Sequence, residues 1–593
     1  MLTLGKNASR GGVNLMECIM NVNRRSGRRV GLLMGLALFA SVASLYTMHE
    51  VALATSIAKG VAGVEQSYQQ HRWSAAIDGL VRLDPLVRGL RMQTRWVELF
   101  GFVPAIGPRV RIDERVLSVL QDVTEAAYDA RPFLRQLEAK RSVMAAMRKL
   151  RLAAVVASAQ GIDAMARLPT FPARSPFVRL NQLKQRVHSL LSFSRLILTH
   201  PQMVRLLLGT DHPDRFLLIF QDNGELRSTG GFIAADGLLT LYHGQIRIQF
   251  NSDIANTADA IRIHDPAPWV LRTYFAERNI SFINANLNPD VPASAQLIQK
   301  LYDSIPHHPR IDGMIFLDSW FIDRLVGVVG KVVAAGRTFT ATNFYPEAEF
   351  LAEDRGLAGS TRMRFLGQIL HDLEAKMQNP DMIGRVWPVF NAALQQKHLM
   401  IDADNPLLSQ WLMGQHWTGA LPVLSRVNRL LVLNDNYGGL KDNHFMTSGI
   451  GIALNKLTNG RYQETVTTTW TLIGIRNGWL VGTYVGWVQC YVPKGTTLKS
   501  LSGYHVHGVR MAVHSGLGMT AFGTGIEIAP RLSMKTPPHT ETLVWVFILP
   551  RLMHPRKIDV IIQPGLPGQE LEYQGQRKPV LVHQVRNEVV VVR

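Results

Sequence analysis

The sequence predicts a multidomain α+β protein: an N-terminal transmembrane helix, a membrane-proximal helical region, a central α/β domain and a C-terminal β-sandwich. Three observations carry this. An uncharged run from Val30 to Met48 follows a basic leader; helical periodicity dominates residues 49–210; and from Asp211 the apolar period shortens to that of strands. With 593 residues the chain exceeds what one core supports, and domains of roughly 100–200 residues imply about three or four of them. An apolar content of 47% with 18% charged residues fits a folded chain and excludes a disordered or collagen-like one.

Residues 1–29 form a cytoplasmic leader carrying Arg24, Arg25, Arg28 and Arg29, and residues 30–48 are long enough to cross a bilayer as a helix. Positive charge stays in the cytoplasm, so the expected placement is a single pass of the cytoplasmic membrane, N-terminus inside and the bulk of the chain extracytoplasmic. A cleaved signal peptide is the alternative, since Ser41-Val42-Ala43 offers small residues, and Met20 offers a second start. Cys18 and Cys490, the only cysteines, then lie on opposite sides of the membrane and cannot pair within one chain.

In residues 49–210, Val116, Leu117, Val119, Leu120 and Val123 illustrate the helical spacing, with breaks at Gly101 to Pro108 and Pro169 to Pro176. The formal charge of +19 concentrates here, where 23 basic residues face 12 acidic ones. No acid occurs between Asp163 and Asp211, whereas Arg167, Arg174, Arg179, Lys184, Arg186, Arg195 and Arg205 do. Such a stretch favours phosphate-bearing headgroups or acidic glycans; nucleic acid is not an expected partner, because no nucleic-acid motif accompanies the charge. A solvated helix face explains the same charge.

Residues 211–440 read as the α/β domain. Arg215 to Gln221, Gly231 to Leu241 and Gln245 to Phe250 form a meander, Pro292 to Ile305 a helix, Ile311 to Asp318 a buried strand, and Ser319 to Val329 and Thr361 to Met377 further helices. Residues 441–593 read as an immunoglobulin-like sandwich, with strands at Gln463 to Ile475, Trp479 to Val492, Glu541 to Leu549, Lys557 to Gln563 and Glu588 to Val592.

The meander's first connection carries the densest chemistry: Asn223, Glu225, Arg227, Thr229, Gly230 and Gly231 in the run from Asn223 to Phe232. This run resembles the N-x-E-L-R-x-T-G-G-F signature of a bacterial membrane-anchored family whose domain has no assigned function. Further matches are Asn288 to Ala295, Ile311-Asp312-Gly313 with Asp318, Lys397-His398, Asp435-Asn436 with Gly438, Gly439 and Lys441, and Gln563-Pro564-Gly565. That resemblance implies a setting in cell-envelope or exopolysaccharide assembly. A more distant likeness is to the LytR-CpsA-Psr family, membrane-anchored transferases that move glycan from polyprenyl pyrophosphate. Under it, Asp222 and Arg227, Asp312 and Asp318, and Arg355, Arg362 and Arg364 would correspond to acidic and arginine positions of those enzymes, and any reaction would be glycan phosphotransferase-like.

On the residues themselves, Arg227 offers a planar fork suited to a diphosphate. The functional reading makes Arg227, Asp222 and Glu225 catalytic, with Asn223, Thr229, Gly230, Gly231, Arg362, Arg364 and Lys441 binding ligand and Asp253 or Asp222 recruiting Mg²⁺. The structural reading pairs Arg227 with Glu225 or Asp222 inside the loop, the glycines serving the backbone alone. These readings separate a polyprenyl-pyrophosphate glycan transferase from a non-catalytic surface scaffold that binds glycan or protein. Elsewhere, His505, His507 and His514 lack acidic or thiol co-ligands, and His307-His308 reads as a turn. Trp411, Trp417, Trp479, Tyr484, Trp487 and Tyr491 suit sugar stacking or core packing. Nucleophile-elbow, phosphate-loop and zinc-protease motifs are missing.

Overall fold

The computed structural model describes most of residues 52–98, 114–132 and 200–591, with short interruptions; residues 1–51 and 133–199 lie outside the described set. The chain divides into two compact units, one essentially residues 1–199 and the other His200–Arg593.

In the first unit, α1 (Trp73–Glu98) contains Pro85 and runs antiparallel to a helical segment within residues 114–132. Asp78 pairs with Arg131, the Thr124 hydroxyl donates to Asp84, and Arg91 pairs with Glu114, so rising numbers on one helix meet falling numbers on the other. Val87, Val116, Leu117 and Val123 fill the seam, which is what an apolar face at helical spacing requires.

The second unit begins with a sheet ordered β3-β2-β1-β4-β7. β1 (Asp214–Asp222), β2 (Phe232–Tyr242) and β3 (Gln245–Asn251) are the antiparallel meander, while β4 (Gly313–Asp318) lies parallel to β1 and pairs antiparallel with β7 (Leu399–Ala403). Two short strands, β5 (Val332–Ala334) and β6 (Arg337–Phe339), form a separate hairpin. β1 is central and buried on both faces, so its sequence, DRFLLIFQD, is continuously apolar in the middle rather than alternating.

Helices cover this sheet. α2 (Ile254–Ala260) and α3 (Trp269–Tyr274) are short; α4 (Val291–Tyr302) places Val291, Ala295, Ile298 and Leu301 in one core with Leu217, Ile219 and Phe316. α5 (Ser319–Val329), α6 (Phe344–Ala352), α7 (Ser360–Met377), α8 (Pro380–Gln396) and α9 (Pro406–Gly414) complete the α/β part. Asp318 ends β4 and caps α5 by accepting from the Phe321 amide.

Beyond α9 the chain forms two six-stranded sheets around a shared core. One is ordered β12-β15-β10-β9-β17-β18, the other β13-β14-β11-β8-β16-β19. The first contains β9 (Met446–Lys456), β10 (Tyr462–Leu472), β12 (Thr497–Ser502), β15 (His539–Ile548), β17 (Gln569–Tyr573) and β18 (Val580–Val582). The second contains β8 (Asn428–Asn436), β11 (Tyr484–Pro493), β13 (Val506–His514), β14 (Met519–Ile528), β16 (Lys557–Ile561) and β19 (Glu588–Val591). Trp470, Trp545, Phe547, Val432, Val488 and Ile526 are among the residues between them.

The fold class expected from sequence is therefore corrected. Among the described residues no helix is long and apolar enough to cross a membrane; the expected span, residues 30–48, and the leader before it lie outside the described residues, as does Cys18. The chain is a mixed α/β fold with several sheets in its C-terminal region, and those sheets are not immunoglobulin-like: β8 with β16 and β9 with β17 pair in parallel, where that fold pairs neighbours antiparallel. The first of these strands starts at Asn428, upstream of Lys441, and is buried throughout. Residues 477–481 are a turn rather than the start of a strand, because the Asn477 side-chain oxygen Oδ1 accepts from the amides of Trp479, Leu480 and Val481.

Candidate functional site

The connection between β1 and β2 is buried at every position from Asp222 to Gly231. It runs from the α/β part into the paired sheets, and each signature residue is held at the junction. Leu226 is 0% exposed and belongs to the core between the two six-stranded sheets, in one cluster with Leu430, Trp470, Ile526 and Trp545. Its amide donates to the Asn443 side chain and its carbonyl accepts from the Asn436 amide. A leucine from one sheet's loop thus completes another region's core.

Arg227, also 0% exposed, directs one terminal nitrogen at the Asn436 and Leu226 carbonyls and the other at Glu225 Oε1, 3.1 Å away. The aromatic rings of Tyr437, Phe232 and Phe275 lie 4.9, 5.5 and 5.7 Å from the guanidinium carbon. Backbone oxygens, one carboxylate and three π faces surround the charge, the desolvated setting in which cation–π contacts are strongest. Both terminal nitrogens that would grip a diphosphate are already engaged, while the buried Nε has no hydrogen-bond partner among the described residues.

Ser228 donates to the Asp435 carboxylate, whose pKa burial raises to about 7 even though Arg227 and Ser228 pull it down. Gln563 donates to the Arg227 carbonyl at 3.1 Å. The Thr229 hydroxyl accepts from Gln221 and Asn286. Gly230 has φ +130°, and a Cβ on Gly231 would fall 2.3 Å from the Asp222 carbonyl oxygen, so neither position admits a side chain without movement. Asn223 donates to the Gly565 carbonyl at 3.0 Å and accepts from Ser319.

Beside this junction sits a buried ionic cage. Lys441 Nζ lies 2.9 Å from Asp222, 3.2 Å from Glu225 and 3.8 Å from Glu353. Burial alone would lower the lysine pKa, but Asp222, Glu349 and Glu225 hold it well above its ordinary value. Burial works against Asp222 as well, yet Lys441 and His444 keep its carboxyl below the usual range. Glu349, with less compensation, is pushed well above it by burial and by Asp222. Burial lowers His444 to about 4, so its ring is neutral at pH 7. Tyr345 of α6 packs on that ring at 3.6 Å between centroids. Sequence reasoning missed Tyr345, Glu349, Glu353, His444, Asn286 and Ser319, because no local spacing marks them.

The structure thus brings together Asp222, Asn223, Glu225, Arg227, Thr229, Gly230, Gly231 and Lys441. Arg364, in the first turns of α7, is exposed and does not share the buried setting of Arg227. Arg362 is in the same helix, and its side chain lies outside the described residues, as does Arg355. Asp253 caps α2 by accepting from the Ala255 amide. No group of three or more His, Cys, Asp or Glu among the described residues is arranged to hold a metal ion, and Asp222 is engaged by Lys441. Asp312, half-buried, accepts from the Arg215 amide, and the buried Asp318 and His398 meet at 2.5 Å.

His507 adopts φ +63° at an irregularity in β13 and abuts Trp269 and Tyr274, so it does not alternate regularly with His505; His514 packs on Tyr491. His307 also has positive φ, in a turn. Trp417, Tyr484, Trp487 and Tyr491 are buried and Trp411 packs edge-on against Trp417. Trp479 contacts Phe350.

With this geometry in place, residues 211–352, from just before β1 to the end of α6, match the model of a family described as a protein of unknown function, DUF4012. No curated protein and no solved structure matches the chain.

Proposed function

We propose that this chain is a non-catalytic scaffold of cell-envelope or exopolysaccharide assembly, working on the outer side of the cytoplasmic membrane and binding a glycan or protein partner. One observation carries the non-catalytic part: Leu226 is inside the core of the paired sheets while Arg227, beside it, is fully buried on carbonyl oxygens and aromatic faces. Such a loop stabilises an interdomain joint, and a diphosphate would have to displace existing partners to reach the guanidinium.

The envelope setting rests on the resemblance of Asn223 to Phe232 to the N-x-E-L-R-x-T-G-G-F signature, and the distant likeness to LytR-CpsA-Psr transferases points to the same setting. The rival function is transfer of a glycan from polyprenyl pyrophosphate, and it requires Arg227 to act on ligand. Full-length protein and Arg227→Lys are compared for binding of a short-chain polyprenyl pyrophosphate and for thermal stability. The scaffold reading expects the substitution to lower stability with no selective loss of diphosphate binding. A variant as stable as the parent that has lost diphosphate affinity refutes it.

A further inference from the structure

Two crossovers lie at one end of the paired sheets. Residues 473–483 lead from β10 to β11, and residues 529–538 from β14 to β15, in each case from one sheet to the other. They are joined by a bridge between Ile475 and Arg531. The Arg531 guanidinium donates to the carbonyls of Thr536 at 2.7 Å, Met534 at 2.6 Å and Ile473 at 3.4 Å. The Thr536 amide donates to the Ser533 carbonyl within the same turn. This backbone is well fixed, and it holds apolar side chains in water: Leu532 is 73% exposed, Met534 75% and Ile473 46%.

Among the described residues Leu532 and Met534 are the two most exposed large hydrophobics. Arg476 and Lys535 are exposed beside them, and neither crossover contains an aspartate or glutamate. We propose that this tip is a membrane-docking site, in which Leu532, Met534 and Ile473 enter the headgroup and acyl boundary of a bilayer while Arg476 and Lys535 meet anionic headgroups. Exposed apolar groups rimmed by polar residues mark interaction surfaces, and an apolar tip with cations at its base matches the layered polarity of a lipid surface. A bilayer accepts a protruding tip with no complementary pocket, which favours it over a protein partner. The inference does not depend on the role given to Arg227.

The test uses the full chain with Cys18→Ser and Met534→Cys, a nitroxide being attached at position 534; Cys490 is fully buried and stays unlabelled. A matched protein carries Asn459→Cys instead, at the turn between β9 and β10. That turn is one β10 strand away, on the order of 35 Å at ~3.3 Å per residue. With vesicles of phosphatidylcholine and phosphatidylglycerol, the label at 534 should become accessible to oxygen and shielded from a water-soluble nickel chelate, while the label at 459 stays aqueous. Leu532→Ser with Ile473→Ser should reduce the shielded fraction roughly tenfold. Arg476→Glu with Lys535→Glu should reduce it at low salt. A label at 534 that remains open to the chelate on vesicle-bound protein overturns the proposal and leaves a protein-docking tip as the reading. Failure of the chain to bind these vesicles overturns it as well.

Discussion

Two loops of this protein use the same device to opposite ends. In the β1–β2 connection Arg227 gathers carbonyl oxygens and the neighbouring Leu226 is driven into a core; in the β14–β15 connection Arg531 gathers three carbonyls and the neighbouring Leu532 is held in solvent. An arginine on backbone oxygens fixes a loop's shape in both cases. What differs is what surrounds the loop: paired sheets and aromatic rings enclose the first, and the second stands exposed among the described residues. Arginine in a loop is thus no evidence of a ligand until its donors are accounted for.

The largest effects fall at the junction. Leu226→Ala removes a fully buried side chain from a packed core and should cost about 2–5 kcal/mol in chemical denaturation, whereas Leu532→Ala should fall within about 0.5 kcal/mol of the parent. Equal costs would remove the contrast. Arg227→Met leaves Glu225 and the Asn436 carbonyl with less compensation, and the loss of one partner of a buried pair costs about 3–5 kcal/mol; the same substitution at Arg531 should mainly speed amide exchange in residues 531–536.

A third effect lies in the paired-sheet core, where Glu464 accepts from Asn428 and burial raises its pKa from 4.5 to about 7. The folded chain keeps a proton that the unfolded chain releases, so the contribution to stability is full below pH 4.5 and is lost as pH rises to about 7. The loss is on the order of 3 kcal/mol. Asp435 and Asp442, both raised by burial to about 7, slope the same way. Glu464→Gln should flatten the profile of stability against pH over that interval; an unchanged slope assigns it to other groups. The smallest expected effect is that of Arg364→Ala, an exposed helical position, where melting should move by no more than about 0.5 kcal/mol.

Much of the central sheet was legible because its strands are local. Ile311 to Asp318 reads as a buried strand and forms as Gly313–Asp318, and the helix read from Pro292 forms at Val291–Tyr302. β8 was not legible, since burial on both faces erases alternation and leaves an apolar run. The signature loop could be located but not interpreted. Arg227's decisive partners, Asn436 and Tyr437, are more than 200 positions away in the chain, and only the fold brings them within reach. The same holds for Asp318 and His398, two short matches 80 residues apart that meet in space. Of the ionic cage, Asp222, Glu225 and Lys441 were visible as charged residues in or near matched segments, whereas Glu349 and His444 have nothing in their neighbourhood of the sequence to distinguish them.

The Arg227 guanidinium is enclosed by the protein itself. Arginine-specific modification of the native chain with phenylglyoxal, read at each site by mass spectrometry, probes that enclosure. Arg227 should remain unmodified while exposed Arg364 reacts, and should become reactive only as the paired sheets unfold. Modification of Arg227 in the folded protein at the rate of Arg364, with protection by added pyrophosphate, would contradict the account and return the loop to the role of a ligand site.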